Sequence, residues 1–121
     1  MTTYQNKGDY LLVEFAEPYS LNAILAIVQD IADRCQKENL HKVLIDFTKM
    51  ESNPGILDRY KLGVEIARVW GYRIRSAIVG KPTIINYMME TVAFNRGAKV
   101  KLFSELNIAM EWLGVTETSK G

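Results

Sequence analysis

Few side chains in this sequence could do chemistry, and several of them crowd one short stretch. FTKMESNPGIL, Phe47 to Leu57, carries a hydroxyl at Thr48, a carboxylate at Glu51, a second hydroxyl at Ser52 and a Pro54-Gly55 break. It follows an apolar run and precedes a long amphipathic segment. Three uses fit a loop of this make-up: a phosphorylation switch, a ligand mouth, or a plain connection.

The rest of the inventory is thin. His41 is the only histidine. It precedes a strand, at the end opposite the ligand-facing end of such a sheet, so a Ser-His-Asp or Cys-His site is not expected. One histidine and one cysteine cannot make an ordinary structural zinc site, which wants four ligands. Val79 to Thr83, VGKPT, resembles a piece of a phosphate loop. It lacks the upstream glycine, and Pro82 removes a backbone donor, so it reads as a tight strand-to-helix turn. Asp46 closes an apolar strand as the acceptor of a response-regulator receiver does. That chemistry needs an acidic pair after the first strand to hold a divalent cation, and Glu14 and Glu17 do not form it. The role left to Asp46 is to bond loop N–H groups. Cys35 falls on the apolar side of a helical segment and reads as a small buried hydrophobe. No catalytic residue, metal-ligand set or cofactor is expected, and the chain does not read as an enzyme.

The elements that would position the loop are clear. Tyr10 to Phe15 reads as a strand, with the polar stretch TTYQN pairing back across a turn at Gly8. Ser20 can cap a helix whose apolar positions Leu21, Ile24, Leu25, Val28, Ile31, Ala32 and Cys35 share a face, ending near Asn39. Lys42 to Phe47 is short and β-branched, like a buried central strand. Ile56, Tyr60, Gly63/Val64, Ala67 and Trp70 mark the inner face of a second helix, which Gly71 ends, and Lys61 and Glu65 sit four apart on its surface. At its start, Asn53 can serve as cap and Pro54 suits the first turn. Arg73 to Val79 is the next strand, and Thr83 to Arg96 a third helix closed by Gly97. Lys99 to Phe103 is the last strand, followed by a helix capped by Ser104 and ended by Gly114. Arg73 with Arg75, and Lys99 with Lys101, would share strand sides. They form a basic patch if the strands are neighbours, or solvated strand ends otherwise.

This alternation predicts an α/β fold: a single domain over residues 1–115 with a mixed, mostly parallel sheet, an N-terminal hairpin and four flanking helices. A polar tail, 116–121, is expected to fray. Ligand crevices in such sheets open at the C-terminal ends of strands, which puts the 48–55 and 80–83 loops there.

Composition agrees. The chain has 121 residues, 48% hydrophobic, enough for one core. A formal net charge of +1 gives no general attraction to nucleic acid or membrane. The N-terminus has no apolar signal-peptide core, no apolar stretch approaches the ~20 residues of a membrane span, and a lone cysteine suits a reducing compartment. The expectation is a soluble cytoplasmic protein.

HKVLIDFTKM, RIRSAIVG and the closing NRGAKVKLFSELNIAMEWLG together resemble the SpoIIAA-like proteins of the STAS/SEC14 type. These are small α/β domains related to anti-sigma-factor antagonists and to CRAL-TRIO lipid carriers. The resemblance runs from about Tyr10 to Val115 and is most specific at the end, where a short strand finishing in Phe103 precedes a helix carrying Ala109 and Trp112-Leu113. It implies no catalytic set. It also implies a phosphorylatable serine in an Asp-Ser-Ser-Gly motif at the start of the helix after the central strand. Here that stretch reads Ser52-Asn53-Pro54-Gly55: the glycine matches, the acceptor position does not, and Ser52 is displaced toward the strand. The phospho-switch motif is thus not intact, and Ser52 is the candidate phosphorylation site.

Two functions follow from these readings. One is a non-enzymatic regulatory domain of STAS type that binds a protein partner through the Thr48–Tyr60 segment, with a homodimer as a further expectation. The other is a carrier or sensor of an apolar, lipid-like small molecule. Phe47, Thr48, Met50, Ile56, Tyr60, Tyr87 and Met88 are the contact residues expected for partner or ligand.

Overall fold

Runs of β-branched residues separated by longer amphipathic segments produce a layered sheet. The computed structural model describes residues 2–52, 54–81 and 88–116, with backbone alone at 88 and 89. Strands β1 (Thr2–Asn6) and β2 (Leu11–Phe15) are followed by α1 (Leu21–Glu38), β3 (Lys42–Asp46), α2 (Ile56–Trp70), β4 (Arg75–Val79), α3 (Met88–Asn95), β5 (Lys99–Phe103) and α4 (Leu106–Leu113). The sheet order is β1-β2-β3-β4-β5, antiparallel between β1 and β2 and parallel from β2 to β5. The mixed, mostly parallel sheet with an N-terminal hairpin and four helices is the one the alternation implied.

Each crossover steps one strand further in the same direction. Right-handed crossovers made that way place their helices on a common face. One core accordingly gathers Ile24, Ile27, Val28 and Ile31 of α1, Leu62, Ile66 and Trp70 of α2, and Ala93 of α3 over Val13, Val43, Ile45, Ile78 and Val100. The opposite face carries Leu44, Ala77 and Val79, and α4 covers it with Ala109, Met110 and Leu113.

Short α4 is held at its C-terminus by cations. Lys42, Arg75 and Lys99 stand in register across β3, β4 and β5. Lys42 Nζ donates to the Gly114 carbonyl at 3.3 Å, and Arg75 Nη2 to the Trp112 carbonyl at 2.9 Å. The Arg75 guanidinium also lies 3.8 Å from the centroid of the Trp112 ring. The last carbonyls of a helix lack intrahelical donors and carry partial negative charge, so cations are their natural partners.

Several local expectations are corrected. The inner face of α2 is Arg59, Leu62, Gly63, Ile66, Val69 and Trp70: Gly63 and Trp70 stand there as expected, while Ile56 and Tyr60, which lead the expected series, are exposed. Both series recur at three- and four-residue steps. The true one was disguised by Arg59, which is buried because its Nε donates to the Pro54 carbonyl at 3.0 Å. The other series runs toward α3, against which α2 packs closely, and the Tyr60 hydroxyl accepts from Arg96 Nη2 at 3.2 Å. Glu65 bonds Arg68, with Nε at 3.0 Å.

Arg73 lies in a turn before β4, its Nη2 bonded to the Val69 carbonyl of α2 at 3.1 Å. The basic patch is therefore reduced. β4 and β5 are neighbours, yet Arg73 and Arg75 serve helix C-termini, leaving Lys99 and Lys101 exposed on the edge strand. That edge is blunted further, because the Leu102 N–H donates to Glu90 Oε1 at 3.0 Å. The cap of α4 is Glu105, not Ser104, and α2 starts after Gly55, so Pro54 precedes its cap. Asn53, Thr83, the first part of the third predicted helix, and residues 117–121 lie outside the described residues. Ser20, Asn39, Gly71 and Gly114 act at helix ends as expected: Ser20 Oγ accepts from Ala23 N–H at 3.3 Å, and Asn39 is left-handed at φ 58°.

Cys35 is buried, and burial, with the Glu38 carboxylate adding, pushes its thiol up to about 11. It stays protonated at neutral pH, as a packing residue should. Ser76 is less well served. It is fully buried in β4, and its Oγ has no hydrogen-bond partner. An unpaired buried hydroxyl costs about 1–3 kcal/mol. Ser76→Ala is expected to stabilise the protein by about 1 kcal/mol, read as a higher urea midpoint at unchanged slope.

Candidate functional site

The C-terminal ends of β2, β3 and β4 gather the loops that the sequence singled out. Asp46 ends β3, and its Oδ1 accepts from the Thr48 N–H at 2.8 Å and from Thr48 Oγ1 at 2.6 Å. This is the loop-bonding role its position suggested. Thr48 is thereby committed. The chain then turns, with the Met50 N–H donating to the Phe47 carbonyl at 3.0 Å. That turn drops Met50 into the core, while Phe47 packs edge-on against Phe15 at 5.7 Å.

The remainder of the loop is tied down from outside. Tyr19, between β2 and α1, donates its N–H to Ser52 Oγ at 3.0 Å and its hydroxyl to Asp58 Oδ2 at 2.9 Å. It straps the loop before α2 to the first turn of α2. Arg59 reaches back to Pro54 from the inner side. Burial lowers the Arg59 pKa, opposed by the neighbouring Tyr19 hydroxyl. Burial, then the Asp58 bond, drives the Tyr19 hydroxyl far above its usual value.

Tyr4 on β1 behaves alike. Burial, then Asp30, raises it to about 12, and Arg34 stacks on its ring at 4.1 Å. The sign is fixed by linkage. The unfolded chain ionises its tyrosines near pH ~10, whereas the folded chain holds both protons higher. Stability from these groups is complete below pH ~10 and is lost as pH rises toward the folded values. Urea midpoints between about pH 9 and about pH 11 should fall more steeply for the wild type than for Tyr4→Phe/Tyr19→Phe.

Beneath the strap lies an apolar cavity of about 70 Å³ between α1, α2 and the sheet. Phe47 and Met50 are in its wall, with Tyr19, Pro54 and Arg59. Ile56 and Tyr60 are outside it, 69% and 45% exposed, together with Leu57 at 66%. The expected contact residues thus divide. Phe47 and Met50 face the cavity, Thr48 bonds Asp46, and Ile56 and Tyr60 stand on the surface. Tyr87 and the Met88 side chain lie outside the described residues. Ser52 is exposed at the loop.

Tyr19, Arg59 and Leu57 were not singled out in the sequence. Tyr19 had a weak signal, an aromatic with a polar tip between Pro18 and the capping Ser20 at the same end of the sheet. Arg59 had one too, as the lone cation in an apolar helical stripe. His41 is exposed at the other end of the sheet, in a recess with Asp33 and Arg73. Among the described residues no helix is long and apolar enough to cross a membrane, and no three His, Cys, Asp or Glu side chains group as a metal site.

No protein-family model matches the chain, and no curated protein sequence matches it significantly. Backbone geometry is more informative. The crystal structure of an anti-sigma factor antagonist from Mycobacterium paratuberculosis superposes on it with a TM-score of 0.64, covering 94% of this chain and 93% of that one, at 12% sequence identity. The two backbones therefore correspond almost end to end while the sequences have diverged: the chain has the SpoIIAA-type fold of an anti-sigma factor antagonist.

Proposed function

We propose that this is a non-enzymatic regulatory domain that binds a protein partner through the loop after β3 and the first turn of α2. The observation that carries it is the exposure of Ile56, Leu57 and Tyr60 side by side at the start of α2. Three large apolar side chains clustered in water are costly unless something covers them. Their backbone is fixed by the Asp46, Tyr19 and Arg59 contacts, so a partner would meet a preformed surface with little ordering cost. The shared fold favours a partner of the anti-sigma-factor kind. Asp46 and Thr48 are occupied in bonds to each other and Asp58 in its bond to Tyr19, which favours binding over catalysis.

Ser52 fits the same surface as a phosphorylation site. A phosphate there would make the oxygen that accepts from Tyr19 a bridging ester oxygen, a poorer acceptor, and add a dianion beside Glu51. We place all of this in one domain, residues 1–115, working in the cytoplasm.

The test is quantitative affinity capture followed by mass spectrometry. Ile56→Asp/Leu57→Asp should lose the specific partner by about tenfold or more. Tyr72→Ala, which alters an exposed aromatic after α2, should retain it. Equal capture by all three proteins would refute the surface assignment.

A further inference from the structure

We propose that the open edge of β1 is a docking site for an extended peptide segment with Lys or Arg at alternate positions, which adds to the sheet beside β1. This inference rests on the sheet edge and its carboxylates, and is independent of the α2 surface.

The two edges of the sheet, β1 and β5, are built differently. On β5, Lys99 and Lys101 are exposed and Glu90 occupies the Leu102 N–H. Charge and a capped donor both discourage pairing there. β1, Thr2–Asn6, holds no charged residue and no proline. Its register with β2 runs unbroken from Thr2 opposite Phe15 to Asn6 opposite Leu11, without a bulge. The Lys7 N–H donates to the Tyr10 carbonyl at 2.9 Å, so that carbonyl faces the β1 side. Alternation along β2 then makes Leu12 with Gln5, and Glu14 with Thr3, the hydrogen-bonded pairs. The N–H and C=O groups of Thr2, Tyr4 and Asn6 point the other way, with no strand beside them among the described residues.

This edge is held in place by its own side chains. Thr2 Oγ1 donates to Glu17 and Thr3 Oγ1 to Glu14, both at 3.4 Å. The Tyr4 hydroxyl donates to Asp30 at 3.4 Å, and Asn6 Nδ2 to Glu38 at 2.9 Å. An incoming segment meets an ordered template, and main-chain bonds to an exposed edge are a general source of peptide affinity.

Charge selects the occupant. Tyr4 and Asn6 share one face of the strand and Thr3 takes the other. Their bonds therefore set Asp30 and Glu38 along the α1 side of the edge and Glu14 along the opposite side. Among the described residues, none of these three carboxylates forms a salt bridge with Lys or Arg. The nearby cation, Arg34, stacks on the Tyr4 ring at 4.1 Å. In a strand laid on β1, the residues opposite Thr2, Tyr4 and Asn6 face the α1 side and also make the main-chain bonds. Lys or Arg at those alternate positions can reach Asp30 and Glu38, whereas Asp or Glu there is repelled. A second copy pairing through its own Thr2–Asn6 offers no cation from that strand and brings two sets of these carboxylates to one interface.

The probes are three short, end-blocked peptides. One alternates lysine with threonine and valine, one has glutamate in place of lysine, and one keeps the lysines but carries methyl groups on their backbone nitrogens. Binding is followed by amide resonances and hydrogen exchange in the intact protein. The lysine peptide should shift β1 amides saturably and slow exchange at Tyr4 and Asn6 by about tenfold or more. The glutamate and N-methylated peptides should each bind about tenfold more weakly or worse. Asp30→Asn/Glu38→Gln keeps the acceptors for Tyr4 and Asn6 and should weaken the lysine peptide by about tenfold. Lys99→Gln/Lys101→Gln, on the other edge, should leave it unchanged. Equal binding of the N-methylated peptide would reduce the contact to plain charge attraction and overturn the assignment. So would slowed exchange on β5 in place of β1, or Tyr4 exchange that slows with protein concentration alone, which would put a second copy on the edge. If the carboxylate variant does not fold, the three peptides on the wild-type protein still decide it. Ile56→Asp/Leu57→Asp leaves peptide binding unchanged, so the two readings fail separately.

Discussion

Trp70→Ala is expected to cost about 4 kcal/mol, a large share of the ~5–15 kcal/mol that holds a domain of this size together. Trp70 is the last residue of α2 and is 1% exposed. Its ring fills the space between α1, α2 and the sheet, and its indole Nε1 donates to the Val28 carbonyl at 2.9 Å. That carbonyl belongs to α1, so one side chain fastens two helices. The substitution removes the ring, leaves a void beside the existing cavity, and breaks the tie to the Val28 carbonyl. Trp70→Phe separates these effects. It keeps most of the volume and loses the bond, and should cost roughly half as much. Urea unfolding at neutral pH measures both. A loss under about 1 kcal/mol for Trp70→Ala would mean that α1 and α2 do not pack as described.

Arg75→Ala is expected to cost about 2 kcal/mol and to act locally on α4. Hydrogen bonds to charged donors contribute more than neutral ones, and the Trp112 ring adds a cation–π contact. Both are lost together. Hydrogen exchange should show amides of α4 opening before those of β2 to β4, with protection there reduced by about tenfold or more. Lys42→Ala should show the same pattern at smaller amplitude, since its bond to Gly114 is longer and its partner exposed. Uniform loss of protection across the sheet would show that Arg75 supports the whole molecule and not one helix.

The sheet was readable because period and punctuation agreed. Val43, Leu44 and Ile45 have no polar face, as a strand buried on both sides requires, and Gly71 and Gly114 stop helices where the apolar series stop. The orientation of α2 was not readable. Its two apolar stripes differ by about one residue's rotation, and a stripe containing arginine scores worse until the Pro54 carbonyl is known to receive that side chain. The boundary at Arg73 failed for a related reason. A β-compatible sequence was claimed by the preceding helix end, through the Val69 carbonyl.

At the site, the sequence located the loop and its Asp46 anchor by local rules, because donor and acceptor are two residues apart. Tyr19 lies 33 residues from Ser52 and 39 from Asp58. No local pattern links residues at that separation. Only the adjacency of β2 and β3 brings them together.

Spatial order equal to chain order has a consequence for biosynthesis. A chain emerging amino-terminus first can lay each new strand on the open side of its predecessor, with no strand inserted between earlier ones. The face bearing Leu44, Ala77 and Val79 is complete once β4 has docked, yet its cover, α4, is made only after β5. A nascent chain therefore shows that apolar face to solvent until α4 has emerged and docked. In that interval the uncovered face offers a chaperone a binding site that α4 later closes.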